Sequence, residues 1–186
     1  MESLEDKIKR VTAEHVDVVP YDPAWPGLFE REKTRLLSIL PGDWIVRIEH
    51  FGSTAVPGLA AKPIVDMVIE IADVQRGKEL IPSVLEPLGY DCFWRPTMGD
   101  DTPPWYTWCI RRNAAGVRTH HLHFVAVGEK ADELRFRDIL RAKPHTAAVY
   151  AELKRRLAGK HPNDRIAYTQ AKTEFIRNVL VSHSPA

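Results

Sequence analysis

Apolar positions recur along the chain in two periods, and the switches between them mark the elements. Val16-Asp17-Val18-Val19, closed by Pro20, predicts a short strand. Asp22-Pro23, a capping carboxylate before a residue with preset φ, opens a helix whose Leu28, Phe29, Leu36, Ile39 and Leu40 share one face; Pro41-Gly42 ends it. Alternation returns over residues 44–51, placing Trp44, Val46 and Ile48 on one face of a strand and Arg47 and Glu49 on the other. Residues 64–71 are almost wholly apolar and β-branched, the composition of a central strand covered on both faces, and Asp66 stands inside it.

Asp73 caps a helix carrying Val74, Leu80, Ile81, Val84, Leu85 and Leu88, in which Pro82 predicts a kink or break and Gly89 the end. Strands follow over 90–95 and 106–112, separated by a polar loop whose Asp100-Asp101 pair reads as a solvated turn. Asn113-Ala114-Ala115-Gly116 is a hairpin-length link to a longer strand over 117–127. From Ala131 the pattern is helical: near 131–143, stopped at Pro144, near 146–158, stopped at Gly159, and near 164–182. This order predicts an α+β fold, a mixed or mostly antiparallel sheet with packed helices and a helical C-terminal third. Charge-rich residues 1–15 read as a flexible arm and residues 16–183 as a single domain.

Composition sharpens the outline. The 186 residues fit one compact domain at about 150 residues per domain, and 44% hydrophobic with 27% charged residues is ordinary globular usage. With 26 Lys+Arg against 25 Asp+Glu the net charge is +1, so no global field steers a polyanion. Lys154-Arg155-Arg156 is too short for a nucleic-acid stripe and reads as facing water. Cys92 and Cys109 lack the CxxC spacing of a zinc site and read as reduced core thiols. The N-terminus carries no apolar stretch and no run approaches ~18 apolar residues, so the expectation is a cytoplasmic protein with neither membrane nor nucleic acid as partner.

The candidate chemistry is concentrated between His50 and Asp66. Gly52-Ser53 at a strand end lets the backbone turn sharply, so that amide N–H groups and the Ser53 hydroxyl converge on a phosphate oxygen. Asp66 on the next strand can hold a divalent metal bridging the same phosphate, or it can be a buried, hydrogen-bonded carboxylate. His121 and His123 point to one side of their strand and His120 to the other, so the first two can join Asp66 across the sheet. A His/His/Asp set suits Zn²⁺ or Mn²⁺ better than Mg²⁺; without metal it can bind phosphate, exchange protons or be structural. His50 can line the same pocket or hydrogen-bond the turn. Lys62, entering the Asp66 strand, is the best-placed cation; Arg95, Arg112 and Arg118 lie at strand ends. Trp105-Tyr106-Thr107-Trp108 reads as core more than as a base-stacking platform. Tyr168 and Lys172, four apart on one helix face, can reach the pocket.

The run Gly52-Ser53, twelve residues (54 to 65), then Asp66 resembles the hG[GS]…[DE]h[DE]h signature of the nucleotidyltransferase superfamily. With Val18 to Pro26, His121-Leu122-His123 and Ala167 to Lys172 added in order, residues 16–180 resemble the GrpB family, also called UPF0157, which is also found fused to some bacterial dephospho-CoA kinases. The resemblance implies a nucleotidyltransferase-like fold and a pocket for a nucleotide or other phosphorylated small molecule. In it Asp66 and His123 would be catalytic, His50, Gly52, Ser53, Lys62, His121, Tyr168 and Lys172 would bind substrate, and Asp66, His121 and His123 would hold metal. Two departures stand out: the second carboxylate position is Val68, and the third is His123. Glu70 is no replacement, because at ~3.3 Å rise per residue it lies about 13 Å from Asp66 along the strand. The implied activity is nucleotidyl or phosphoryl transfer to a small molecule; the alternative is a non-catalytic ligand-binding or partner-assisting module.

Overall fold

The computed structural model describes residues 4–12, 15–96 and 103–183, so the Asp100-Asp101 turn lies outside the described residues. Five strands, β1 (Ile45–Phe51), β2 (Val65–Ile71), β3 (Asp91–Pro96), β4 (Trp105–Arg112) and β5 (Arg118–Val125), form one mixed sheet in the order β1-β2-β5-β4-β3. β2 and β5 run parallel; the other neighbours are antiparallel. The helices are α1 (Leu4–Thr12), α2 (Trp25–Ile39), α3 (Val74–Leu85), α4 (Ala131–Ala142), α5 (Pro144–Lys160), α6 (Arg165–Gln170) and α7 (Thr173–Ser182). The predicted α+β architecture is thus observed, helical C-terminal third included.

The main core lies on one side of the sheet, where α2 and α3 supply Phe29, Leu36, Ile81 and Leu85 against Val65, Met67, Ile69, Leu122 and Phe124. Burying both faces of β2 leaves Asp66 as its one half-buried member. On the other side Phe51, Val68, Tyr106 and Val125 pack with Leu134 of α4. Beyond them α4, α5 and α7 build a second core around Phe136, Leu140, Tyr150 and Val179 with Val56 and Leu59.

Several local expectations change. Residues 16–19 make only an isolated bridge, Val19 to Ala61, instead of a strand. A register irregularity between Ile45 and Arg47 turns Val46 outward, 55% exposed, so the alternation fails there. α3 runs past Pro82 before tightening at Glu86–Leu88. Pro144 opens α5 instead of merely ending α4, as its fixed φ suits a first turn, and α5 continues through Gly159. The last helical stretch is two helices, α6 and α7.

Over Leu4–Thr12 the chain is no loose arm. α1 docks on β3, with Lys7 bonded to Glu86 and to the Cys92 carbonyl, Arg10 forked onto both Asp91 oxygens, and Val11 buried against Phe93 and Ile110. The cysteines are not free thiols: the β3–β4 register places Cys92 opposite Cys109, with Cα atoms 4.1 Å apart, and they form a disulfide. Spacing rules miss this because a hairpin register joins residues 17 apart. Among the described residues no helix is long and apolar enough to cross a membrane.

Candidate phosphate site on the sheet face

Parallel pairing sets Asp66 beside His121 and Val68 beside His123, so strand alternation brings Asp66, His121 and His123 onto the face away from α2 and α3. His121 Nδ1 lies 2.9 Å from Asp66 Oδ1. One ligand atom from each of the three residues falls within 4.8 Å of the others, a candidate metal-binding triad. His123 stacks on Tyr106 at 5.5 Å and meets the edge of Phe51 at 5.2 Å; its Nδ1 is buried without a hydrogen-bond partner. His120 points into the opposite face, as alternation requires, and hydrogen-bonds Thr119.

Two neighbours fix the state of His121. Asp66 only accepts and Arg118, whose Nη1 is 3.1 Å from His121 Nε2, only donates, so the neutral ring carries its proton on Nδ1. Burial pushes the imidazole down to about 4 against the pull of Asp66. Burial would raise the Asp66 carboxyl, but the His121 hydrogen bond and the positive potential of His121, His123 and Lys62 hold it at about 2. Near neutral pH the pair is a carboxylate and a neutral imidazole. The Asp66 side chain stays 29% exposed, so part of the carboxylate is open to solvent.

The glycine turn packs against Asp66. Gly52 has φ 70°, and a Cβ there would fall 2.5 Å from Asp66 Oδ2, so both backbone conformation and proximity demand glycine. Ser53–Ala55 form a single 3-10 turn, with Ser53 half-buried and sharing a side-chain hydrogen bond with Tyr150 of α5. Thr54 locks the turn by donating to the Ile64 carbonyl. His50 does not line this pocket. Its register partner is Met67, so it faces α2, stacks on Phe29 at 4.9 Å and lies 3.0 Å from the Thr54 hydroxyl as the turn's hydrogen-bonder.

Three lysines close the site. Lys62 and Lys172 sit over the Tyr168 ring, 5.4 and 4.5 Å from its centroid. Lys154, only 2% exposed, donates to the Ala60 carbonyl and lies 4.8 Å from the centre of the Tyr150 ring. Each feels Asp66, and their pKa values fall through burial first and then, for Lys62 and Lys154, through repulsion by Lys172: Lys62 and Lys154 to about 7, Lys172 to about 8. Lys154 therefore does not face water as its Lys-Arg-Arg setting predicts. Of the strand-end arginines, Arg118 touches the site, Arg95 lies over the Tyr106 and Trp108 rings, and Arg112 pairs with Asp91. Glu70 is committed elsewhere, accepting from Arg47 and the Gly128 N–H.

Ser53, Asp66, His121, His123 and the three lysines line neither of two hollows. One, about 510 Å³, is bounded by Val56 to Leu59 and by α4 and α5; the other, about 480 Å³, lies between Arg47, α4 and His183.

The profile of the GrpB protein family matches residues 15–182. The chain belongs to this family. "UPF0157 protein PA4798" of Pseudomonas aeruginosa is 39% identical over 176 residues, covering 90% of this chain and 67% of that protein. The "Crystal structure of conserved protein GrpB from Enterococcus faecalis" superposes with a TM-score of 0.74 at 32% identity, covering 89% of this GrpB chain and 96% of that one. A dephospho-CoA kinase of Mycolicibacterium paratuberculosis is 27% identical over 190 residues, covering 91% of this chain but 46% of its own length. The α+β fold is thus shared with the Enterococcus faecalis structure, and Leu4–Thr12 precedes the region the family profile matches.

Proposed function

We propose that this GrpB chain binds a phosphorylated small molecule, with the phosphate held between Ser53 and the lysines Lys62, Lys154 and Lys172. The carrying observation is the lysine cluster: Lys62, Lys154 and Lys172 lie partly or fully buried around Tyr168 and Tyr150, Asp66 acts on all three, and burial with mutual repulsion makes their charged forms costly in a way that a bound anion would relieve. A phosphate dianion supplies that charge and takes charge-assisted hydrogen bonds in return. Tyr168 lies under the Lys62 and Lys172 ammonium groups and Tyr150 under that of Lys154, and Tyr150 also hydrogen-bonds Ser53. Similarity to a dephospho-CoA kinase favours nucleotides and CoA precursors as the phosphorylated class.

This reading is a binding site more than a complete transferase centre. The place of a second carboxylate is Val68, buried with Phe51 and Tyr106, and Glu70 is tied to Arg47. A second reading rests on the 4.8 Å triad and the unpartnered His123 Nδ1: Asp66, His121 and His123 would hold Zn²⁺ or Mn²⁺, and less readily Mg²⁺, arriving with the ligand's phosphate. Such an ion would polarise a phosphoryl oxygen. For His121 to serve, its nitrogen must first release Arg118 or Asp66, and the surrounding cations oppose a bare dication.

Thermal shift and calorimetry with inorganic phosphate, ATP and dephospho-CoA, each with and without Mn²⁺ or Zn²⁺, test both readings. The phosphate reading expects binding without metal, weakened about 10-fold or more in Lys172→Met through the loss of a charged hydrogen bond. Binding as tight as wild type in both Lys62→Met and Lys172→Met, or no binding by wild type, overturns it. Binding that requires metal and disappears in Asp66→Asn establishes the second reading instead. Radiolabel transfer from an α-labelled nucleotide would show catalysis.

A further inference from the structure

The edge of the site is tied to the N-terminal helix by a single guanidinium. The β4–β5 ladder pairs Arg111 with His120 but Arg112 with Arg118, so β5 advances two residues where β4 advances one. That bulge breaks the alternation, which would otherwise send Arg118 to the side of His120, and returns it to the face of His121. Arg118 is 5% exposed, and its charge centre lies 5.9 Å from the Trp108 ring centroid, with Trp108 in turn edge-on to His121 at 5.2 Å. From there its two arms diverge. Nη1 donates to His121 Nε2 at 3.1 Å and Nη2 to the Val11 carbonyl at 2.8 Å.

The Val11 carbonyl belongs to the last turn of α1, where carbonyls lack partners within the helix, so Arg118 caps α1 while it orients His121. The chain of contacts runs without a gap from α1 to Asp66: Val11 O, the Arg118 fork, His121 with its proton on Nδ1, Asp66 Oδ1. A lysine cannot reproduce it, because the role needs two donors spread in a rigid plane. α1 is itself held by pairs that involve no residue of the site, Lys7 with Glu86 and Arg10 with Asp91.

We infer that Arg118 is a positioning residue of the site and that docking of α1 holds it there, making the N-terminal helix a latch that keeps a donor on His121 Nε2 and so fixes the ring whose Nδ1–H orients Asp66. The helix lies before the region that the family profile matches.

The test needs no ligand and stays independent of the phosphate reading. Nitrogen-15 spectra of the imidazole rings, recorded on the full chain at neutral pH, report which His121 nitrogen bears the proton. Wild type is expected to show one Nδ1–H population. Arg118→Met should keep that form, which Asp66 still requires, but move the Nε2 resonance downfield as its lone pair loses the donor, and Arg118→Lys, which cannot hold both His121 and Val11, should move it part-way. The pair Lys7→Glu with Arg10→Glu, which sets α1 against Glu86 and Asp91 while leaving Arg118 and the core untouched, should produce the same Nε2 shift and free the α1 amides to exchange. If Arg118→Met leaves the His121 signals unchanged, the positioning role is wrong. If the double variant releases α1 and the signals stay as in wild type, the latch is wrong.

Discussion

Gly52 and Asp66 touch across the β1–β2 edge so closely that a methyl group on the first would lie 2.5 Å from a carboxylate oxygen of the second. Gly52→Ala therefore meets two penalties, a left-handed backbone at φ 70° and a displaced Asp66. We expect it to lose about 1–3 kcal/mol in urea denaturation and to weaken phosphate binding. Gly58→Ala is the matched control: φ is 77° but nothing lies within 4 Å, so stability should fall by about 1 kcal/mol with binding retained.

Phosphate affinity should rise as pH falls from about 8 toward 7. In the free protein Lys62 and Lys154 titrate near 7 and Lys172 near 8; a bound dianion favours their charged forms and raises all three. Binding then takes up protons, which calorimetry in two buffers of different ionisation enthalpy measures directly. Proton release on binding would contradict the lysine assignment.

Stability without ligand should follow the same groups with the opposite lever. An unfolded lysine holds its proton to about 10.5, whereas the folded ones release it near 7 to 8, so unfolding binds protons across that window and stability climbs as pH rises through it. On the acid side, His50 and His121 stay neutral to about 4 but would charge below 6.5 once unfolded, so stability falls as pH drops between those values. The Asp66 contribution is present above its ordinary value of 3.8 and is lost only as pH falls through about 2. Urea unfolding across a pH series checks all three windows.

Glu70→Gln separates fold from chemistry. Its carboxylate serves Arg47 and the Gly128 N–H on a part of the strand remote from the lysines. We expect a loss of about 1–2 kcal/mol in stability and unchanged phosphate binding; weakened binding would bring Glu70 into the site.

Much of the site was legible before the fold, because Asp66 in an apolar strand and two histidines two residues apart need only strand alternation to share a face. His50 was misplaced because its side of the sheet depends on which residue of β2 it pairs with, and a register linking His50 to Met67 leaves no local trace. Lys154 did leave one. Tyr150, Ala151, Lys154 and Leu157 form one buried helical stripe, and reading that period across the Lys-Arg-Arg run would have turned the lysine inward. The docking of α1 was invisible for another reason: Lys7 and Arg10 find partners about eighty residues away. The Thr119 bulge that redirects Arg118 likewise arises from pairing, not from composition.

The parallel pairing of β2 with β5 also governs when the site can exist. A parallel neighbour needs a crossover, and here the crossover contains α3, β3 and β4, so Asp66 and His121, 55 positions apart in sequence, meet only after the chain between them has been laid against the sheet. Arg118 closes a still longer loop, 107 residues, onto Val11. Such distant contacts are slow to form, since loop closure is opposed by chain entropy until the intervening strands are in place. The site is therefore among the last features to assemble during folding, and a chain that displays it has already completed its sheet.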